Sequence, residues 1–261
     1  FTNTLSVGIV QKALVDMMLE AHPEIGIGDD TLTPVVMECD DSTLNDIRGQ
    51  HVRAAHVRAA LKAATAGPVA EGAVGAGTGM VTYEFKGGIG TSSRVLPAKY
   101  GGYTLGVLVN SNHGKRHLLR VGGVPVGAKF PDLKPKERKD GSITVAVATD
   151  APLDSRQLSR LARRAMLGVC RTGAVAAHGS GDVAVAFSTA NRIPHKPRKA
   201  VFSFALLSDC HVDPLFEIAA DAAEEAVINS MLAARTVVGR DGNTVYALPH
   251  DRLKAILSGK D

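Results

Sequence analysis

The sequence predicts a layered α/β sandwich, and three observations support this class. With 261 residues, of which 45% are hydrophobic and 21% charged, the chain is long enough to bury a sizeable core as one large or two small domains. After Ser142, segments of helical periodicity alternate with short runs of alternating apolar residues. The middle of the chain, residues 67–127, is rich in glycine, which is typical of short strands joined by tight turns.

The first two elements are predicted to be helices. After the opening TNTLS, apolar residues recur at the spacing of an amphipathic helix: Val7, Val10, Leu14, Met17 and Met18. The segment HVRAAHVRAALKAA, residues 51–64, is rich in helix formers and contains one five-residue duplication, which is too little for a repeat architecture. In the glycine-rich middle, the strand candidates are MVTYEF, YTLGVLV and HLLRVGGVPV, which are residues 80–85, 103–109 and 117–126.

The second half of the chain has the clearest order of elements. Residues 142–149, SITVAVAT, alternate as a half-buried strand. Asp154 followed by Gln157 is a capping-box pattern and predicts the start of an amphipathic helix. Residues 182–188, DVAVAFS, predict another strand, and Pro214 in a first turn predicts a second long helix. The stretch GRDGNTVYALP then indicates a closing turn and strand before a short terminal helix.

The charge pattern gives no reason to expect a nucleic-acid or membrane partner. The net charge of +4 comes from 30 basic and 26 acidic residues, and the basic excess lies between Lys115 and Lys139. With 4% aromatic residues and no Trp, a platform for stacking bases is not expected, so we interpret the basic cluster as a solvated loop. No apolar run reaches the length of a membrane span.

The cysteines bear on the compartment. Cys39, Cys170 and Cys210 are odd in number and scattered, which indicates neither a disulfide framework nor a zinc site. Their pattern slightly favours a reducing, cytoplasmic compartment over the periplasm. The sequence opens FTNTLSVGIV without Met, so we expect the true start to lie upstream, and export stays open.

Three site patterns in the sequence are weak. Residues 72–79, GAVGAGTG, follow a helical pattern rather than a strand, which argues against a dinucleotide site. His113 and His117 have the spacing of two metal ligands on a helix, but the intervening glycine and strand-like flanks argue against one, and we expect no metal. Cys210 beside His211 could form a thiol nucleophile, but in the strand expected there adjacent side chains point to opposite faces, so we expect a buried Cys210.

Gly141 and Ser142 form the candidate that carries the most chemistry. Asp-Gly before a strand is typical of a simple turn. Alternatively, the Gly141–Ser142 bond is cut and Ser142 becomes an N-terminal nucleophile. Its hydroxyl would attack the Gly141 carbonyl, which no Cβ shields, and water would release the new amine. An α-amine has a pKa of about 7.7–8.0, so it can take the hydroxyl proton near neutral pH.

Six segments in order carry a family resemblance: TNTLSVG, EFKGGIGTSSR, VLVNSNHG, DGSITVAVATDAPL, QLSRLARRAMLGVCRTG and SGDVAVAFSTAN. Together they resemble the self-processing N-terminal-serine aminopeptidases, the L-aminopeptidase/D-Ala-esterase-amidase and β-peptidyl aminopeptidase family, over essentially the whole chain. The resemblance implies one catalytic domain, residues 1–261, with a four-layer αββα sandwich like that of N-terminal-nucleophile hydrolases but with different strand connectivity. It also implies cleavage into residues 1–141 and 142–261, a tetramer of such pairs, and no cofactor. The family's stretch before TNTLSVG is not in this sequence.

The resemblance assigns roles to four residues around the nucleophile. Ser142 takes the nucleophile position. Ser180 and Asp182, in SGDVAVAFSTAN, match the serine and acid that orient it, and Asn112, in VNSNHG, matches the asparagine that donates to the oxyanion. Without the resemblance, these three would be interpreted as a turn serine, a strand-starting aspartate and a turn asparagine.

Glu38, in VVMECDD, resembles the acid that receives the substrate's ammonium group, and Asp40 adds negative charge beside it. Without the resemblance, Glu38 would be a surface carboxylate at a strand end. Relatives can carry a tyrosine or other larger polar groups where Cys39 and its neighbours stand, so the preference among L-, D- and β-residues stays open.

The function implied is a self-activating aminopeptidase acting on short peptides, amides or esters with a free amine. Two alternatives stay open. An acyl transferase similar to the ornithine acetyltransferases would share the general fold and self-cleavage, although those enzymes usually carry threonine where Ser142 stands. The other is a binding or assembly module of the same fold without activity.

Overall fold

The computed structural model describes residues 1–136, 141–196 and 199–259. In chain order, the strands are β1 Thr2–Asn3, β2 Glu38–Cys39, β3 Val81–Thr82, β4 Phe85–Lys86, β5 Gly88–Val95, β6 Thr104–Asn112, β7 Ser142–Thr149, β8 Val183–Ser188, β9 Val237–Val238 and β10 Thr244–Val245. The helices are α1 Val7–Ala21, α2 Ala54–Lys62, α3 Ser155–Arg171, α4 Asp213–Leu232 and α5 His250–Leu257. Most predicted elements are therefore present.

A four-stranded sheet in the order β5–β6–β7–β8 forms the centre of the fold. The pairs β5–β6 and β6–β7 are antiparallel, whereas β7 and β8 are parallel. The register places Asn112, the last residue of β6, opposite Ser142, the first residue of β7. The short strands form three two-stranded pieces, β1–β2, β3–β4 and β9–β10.

The two faces of β7 differ as the alternating sequence predicts. Ile143, Val145 and Val147 are fully buried and belong to one core cluster with apolar residues of α3 and α4. The opposite face begins with Ser142 and Thr144, and β2 lies against β7. Because side chains alternate along a strand, the apolar face of β7 packs into the core, and the opposite face can carry the polar groups of a site.

The first turn of α3 confirms the predicted capping box. The backbone N–H of Gln157 donates to the carboxylate of Asp154 at 2.7 Å, and the Asp154 N–H donates to the Gln157 side chain at 3.2 Å. Two donors that the helix itself cannot satisfy are thereby paired. Within the described residues, no helix is both long and apolar enough to cross a membrane.

Strand β5 was not among the strand candidates. Its sequence, GIGTSSRV, begins with glycines that contribute nothing to an apolar alternation. Gly90 is a glycine because β5 packs closely on α4: a Cβ at this position would collide with the carbonyl oxygen of Ala226. The requirement comes from a helix more than a hundred residues away along the chain, so local sequence does not reveal it.

Two strand predictions in the glycine-rich middle need correction. Residues 117–126 are not a strand, because Gly122 and Gly123 both have positive φ and reverse the chain, so that Val121 and Val124 pair with each other. Residues 80–85 form a tight hairpin of β3 and β4 instead of one strand. Its two turn residues, Tyr83 and Glu84, have φ of 51° and 62°.

Two interpretations of polar residues also need correction. Within the basic cluster, whose residues 137–140 lie outside the described part, Arg116 is buried rather than solvated. Its guanidinium donates to the carbonyl oxygens of Tyr83 at 2.9 Å and Glu84 at 2.6 Å. Cys210 and His211 lie in an exposed turn, not in a strand, and the Cys210 thiol contacts the His211 ring at 3.1 Å.

Candidate active site

Ser142 and the Ser180–Asp182 turn meet at one edge of the central sheet. Because β7 and β8 run parallel, the turn that precedes β8 lies beside the first residue of β7. The backbone N–H of Gly181 donates to Oγ of Ser142 at 3.0 Å. Ser142 is half-buried, so its hydroxyl is positioned by protein contacts and still accessible to a ligand.

Ser180 and Asp182 form a hydrogen-bonded pair next to Ser142. The Ser180 hydroxyl donates to Oδ1 of Asp182 at 2.6 Å, and the same oxygen accepts from the N–H of Ile143 at 3.2 Å. Asp182 therefore ties the Ser180 hydroxyl to the backbone directly after Ser142. Since its proton is donated to Asp182, the Ser180 oxygen is left as an acceptor towards its other neighbours.

The side-chain amide of Asn112 is buried and held at both ends. Its Oδ1 accepts from the N–H of Val81 at 2.7 Å, and its Nδ2 donates to the carbonyl oxygen of Asp40 at 2.8 Å. The Val81 donor fixes which end of the amide is oxygen. Nδ2 lies on the side of Gly141, because a Cβ built there would be 3.3 Å from it. An amide nitrogen carries two hydrogens, so Nδ2 can donate to a second acceptor as well as to Asp40.

Gly141 lies so close to β6 that no other residue fits. A Cβ at this position would collide with the carbonyl oxygen of Asn112. The absence of a side chain thus brings the Gly141 backbone against Asn112 and next to Ser142. The peptide bond predicted to be cut and the amide predicted to stabilise its oxyanion are therefore neighbours.

Strand β2 brings Glu38 towards this edge. The buried thiol of Cys39 lies 3.5 Å from the carbonyl oxygens of Asn110 and Ser142, which places β2 against the start of β7. Glu38 itself is half-buried and accepts a hydrogen bond from the Thr4 hydroxyl. Burial raises the pKa of Cys39 to about 12, so this thiol is not a nucleophile at neutral pH.

Asp40 contacts the site through its backbone. Its carbonyl oxygen accepts from Asn112, whereas its carboxylate accepts from the N–H of Ser42 at 2.7 Å in a local turn. Among the described residues, the Glu38 carboxylate accepts from Thr4 of a separate segment, whereas the Asp40 carboxylate is bound by its own loop.

A cavity of about 390 Å³ borders the site. Gly141, Ser180 and Asp182 line it, together with four polar residues that the sequence did not predict as part of the site: Glu84, His113, Lys115 and His117. Three of these four residues follow Asn112 within five positions, in the sequence NHGKRH. Their closeness in sequence to a candidate oxyanion donor could have indicated that they border the site. Within the described residues, no group of three or more His, Cys, Asp or Glu side chains is arranged to hold a metal ion.

Comparison with known proteins gives consistent matches over the chain. Residues 1–245 match peptidase family S58. Beta-peptidyl aminopeptidase BapA of Sphingosinicella xenopeptidilytica is 42% identical over 277 residues, which cover 99% of this chain and 68% of the relative. The structure of the PH0078 protein from Pyrococcus horikoshii OT3 has a TM-score of 0.92 and 50% identity, over 99% of this chain and 71% of that one.

A further solved structure bears on the fold. The L-aminopeptidase D-Ala-esterase/amidase of Ochrobactrum anthropi matches with a TM-score of 0.91 and 44% identity, over 99% of this chain and 72% of that one. It is described as a prototype for the serine aminopeptidases and as a variant of the Ntn hydrolase fold. This match confirms the predicted fold class.

Proposed function

The chain belongs to peptidase family S58 and is an aminopeptidase, and we propose that its nucleophile is the hydroxyl of Ser142, whose amine is freed by cleavage of the Gly141–Ser142 bond. The observation that carries the proposal is the convergence of three separate segments on Ser142. Gly181 donates to its Oγ, the Ser180–Asp182 pair flanks it, and Asn112 lies opposite it in the sheet.

Self-cleavage uses the hydroxyl against its own chain. Oγ of Ser142 forms a bond to the carbonyl carbon of Gly141, the C–N bond breaks, and the hydroxyl proton passes to the departing nitrogen. Water then hydrolyses the ester, which leaves a carboxylate on Gly141 and restores the hydroxyl beside a free amine. Because an amide nitrogen is not basic, the Ser180–Asp182 pair assists the first proton transfer.

Turnover of a substrate repeats this chemistry with the free amine as the base. The amine takes the Ser142 proton as Oγ attacks the substrate carbonyl, and gives it to the departing amine of the product. Water then hydrolyses the acyl ester on Oγ, which releases the N-terminal residue as a free acid and restores the Ser142 hydroxyl. The Gly181 N–H, 3.0 Å from Oγ, stabilises the charge that develops there. Nδ2 of Asn112 donates to the oxyanion, a contribution that is typically about 10²–10³-fold in rate.

Glu38 binds the free ammonium group of the substrate, with Asp40 adding negative charge nearby. The position of β2 against the start of β7 supports this role, because it brings Glu38 to the nucleophile's edge of the sheet. Substrates are short peptides, amides or esters with a free amine. Similarity to a beta-peptidyl aminopeptidase supports β-residues among the accepted N-terminal residues. We further propose that the cleaved pairs assemble into a homotetramer.

Mass spectrometry of the purified protein tests the nucleophile. We expect two chains, the second beginning at Ser142, in the wild type and a single uncut chain in Ser142→Ala, because the hydroxyl is the attacking group in both reactions. The Ser142→Ala protein should also fail to release an aromatic amine from an aminoacyl anilide, and the wild type should not process the same substrate after acetylation of its amine.

The matched control is Ser159→Ala, which changes a serine on α3 whose hydroxyl, among the described residues, donates to the Ser155 carbonyl oxygen of its own helix. It should be cut and active like the wild type. Cleavage of Ser142→Ala after Gly141 in a protease-free preparation would show that an external protease makes the cut.

A further inference from the structure

Lys86, in β4, has a buried amino group that hydrogen bonds connect to the proposed site. Its side chain is fully buried, and its Nζ donates to the carbonyl oxygens of Gly77, Met80 and Gly87 at 2.9, 2.8 and 2.8 Å. In the part of the chain that the structure describes, Lys86 makes no ion pair. The three acceptors match the three hydrogens of an ammonium group. Because burying a charge without a counter-charge is costly, packing alone does not account for a lysine here.

One peptide group joins Lys86 to Asn112. The Met80 carbonyl accepts from the Lys86 ammonium, and the N–H of the same peptide, on Val81, donates to Oδ1 of Asn112 at 2.7 Å. Ammonium, peptide and side-chain amide thus form a chain in which every donor points the same way. In such a chain each hydrogen bond polarises the next group and strengthens it as a donor, so Lys86 in its ammonium form makes Nδ2 of Asn112 a better donor.

The hairpin that carries this chain is held rigidly. Tyr83 and Glu84 both adopt left-handed backbone conformations, which are unfavourable for residues with side chains. The buried guanidinium of Arg116 binds both of their carbonyl oxygens. Strained backbone persists only where its surroundings determine it, and it concentrates at functional sites. Lys86 and Arg116 therefore fix the β3–β4 hairpin from its two ends.

We propose that Lys86 is a positioning residue for the aminopeptidase reaction, which orients and polarises the oxyanion-binding amide of Asn112 through the Met80–Val81 peptide. The proposal rests on the function proposed above for Asn112. Charge develops on the substrate oxygen only in the transition state, so loss of this support lowers kcat and leaves KM nearly unchanged.

A double-mutant cycle tests the link. The assays are run at about pH 7, where a substantial fraction of Lys86 carries its proton. Lys86→Met keeps the length of the side chain and removes the ammonium, and we expect kcat per cleaved chain to fall by about tenfold or more, a part of the effect of losing a whole oxyanion donor. In an Asn112→Ala background, the same Lys86→Met change should have no further effect on kcat, because its target is already absent. The cleaved fraction of each variant is measured by mass spectrometry.

Two further variants separate the relay from loosening of the hairpin. Thr82 lies in the same hairpin, and Thr82→Val removes the hydrogen bonding of its hydroxyl to Ser111 of β6. The change leaves the Met80–Val81 peptide untouched, so kcat should match the wild type. Lys86→Gln, a neutral donor, should retain an intermediate kcat and keeps the test available if Lys86→Met does not fold.

The outcomes distinguish the two proposals. Suppose that Asn112→Ala lowers kcat strongly and that Lys86→Met then lowers kcat by the same factor in the Asn112→Ala background as in the wild type. Lys86 would then act on the fold as a whole, and the proposed link from Lys86 to Asn112 would be overturned. An Asn112→Ala enzyme with wild-type kcat would overturn the oxyanion role itself, and the relay with it. A loss in Thr82→Val equal to that in Lys86→Met would also count against a specific link.

Discussion

Gly141 is the residue on which the geometry of self-cleavage depends most directly. A Cβ there would meet the Asn112 carbonyl oxygen, so Gly141→Ala must push the start of β7 away from β6. Since a displacement of about 1 Å can slow a positioned reaction about 10²-fold, we expect the precursor to be cut far more slowly. A time course of intact mass after purification measures this rate.

Gly106→Ala provides the control for this prediction. Gly106 lies in β6, and a Cβ added there meets nothing within 4 Å. The variant therefore carries the same glycine-to-alanine change in a neighbouring strand without the collision, and it should be cut at the wild-type rate. Equal rates for both variants would mean that the close approach at Gly141 does not matter for the reaction.

The family resemblance placed Ser180 and Asp182 beside Ser142, and their catalytic roles stay predictions. The two residues lie two positions apart in one turn and are joined by a hydrogen bond. Lys86 and Arg116 were not predicted as buried, because their acceptors are carbonyl oxygens of segments that meet only in the fold. Judged from neighbouring residues alone, a charged side chain is expected to be solvated. Tertiary contacts bury Lys86 and Arg116 instead.

At the scale of elements, strands with clear apolar alternation were predicted correctly, and strands defined by packing were not. β7 and β8 alternate, and the ends of α3 and α4 carry capping and proline signals. β5 depends on contact with α4, and the hairpin of β3 and β4 turns at two residues that do not favour a turn. Its geometry is imposed by Arg116, which the sequence pattern assigned to a loop.

Lys86, in the β3–β4 hairpin, should make the free energy of unfolding depend on pH. Burial lowers the pKa of Lys86 to about 7 from its ordinary value of 10.5. Between these two values the unfolded chain binds a proton that the folded protein does not, so the free energy of unfolding rises with pH. Below about 7 the full cost of the buried charge is present, and above 10.5 it is absent.

Urea unfolding at several pH values measures this dependence. We expect the free energy of unfolding of the parent protein to rise between pH 7 and 10.5 relative to that of Lys86→Met. Both proteins should carry Ser142→Ala, so that single chains are compared. Parallel pH profiles for the two proteins would contradict the assigned shift, because the substitution removes only this titrating group from the hairpin.

At the scale of the whole molecule, the proposed cut falls between two strands that pair with each other. β6 belongs to the first segment and β7 to the second, and their apolar residues share one core cluster. In addition, α4 of the second segment packs on β5 of the first. The layered sandwich that the family resemblance implied thus joins the two segments into one folded body. Neither segment's sequence by itself indicates that its folding depends on the other segment.

The two segments should therefore stay together after cleavage. Native mass spectrometry and size-exclusion chromatography should show them in a 1:1 ratio, whereas a denaturing gel separates them, because the contacts between them are sheet hydrogen bonds and buried apolar surface. Dilution without denaturant should not separate them. Elution of the segments as two independent species would contradict the shared core.

The eight residue pairs between β6 and β7 also bear on whether one gene must encode both segments as a single polypeptide. Alignment of Asn112 with Ser142 is a property of strand register, and register does not require that the two strands come from one translated polypeptide. Two reading frames, one ending at Gly141 and one whose start codon directly precedes Ser142, would specify the same sheet edge. Once the initiator methionine is removed, the serine amine would be present from synthesis, so the proposed self-cleavage would determine when the site matures and not which groups it contains.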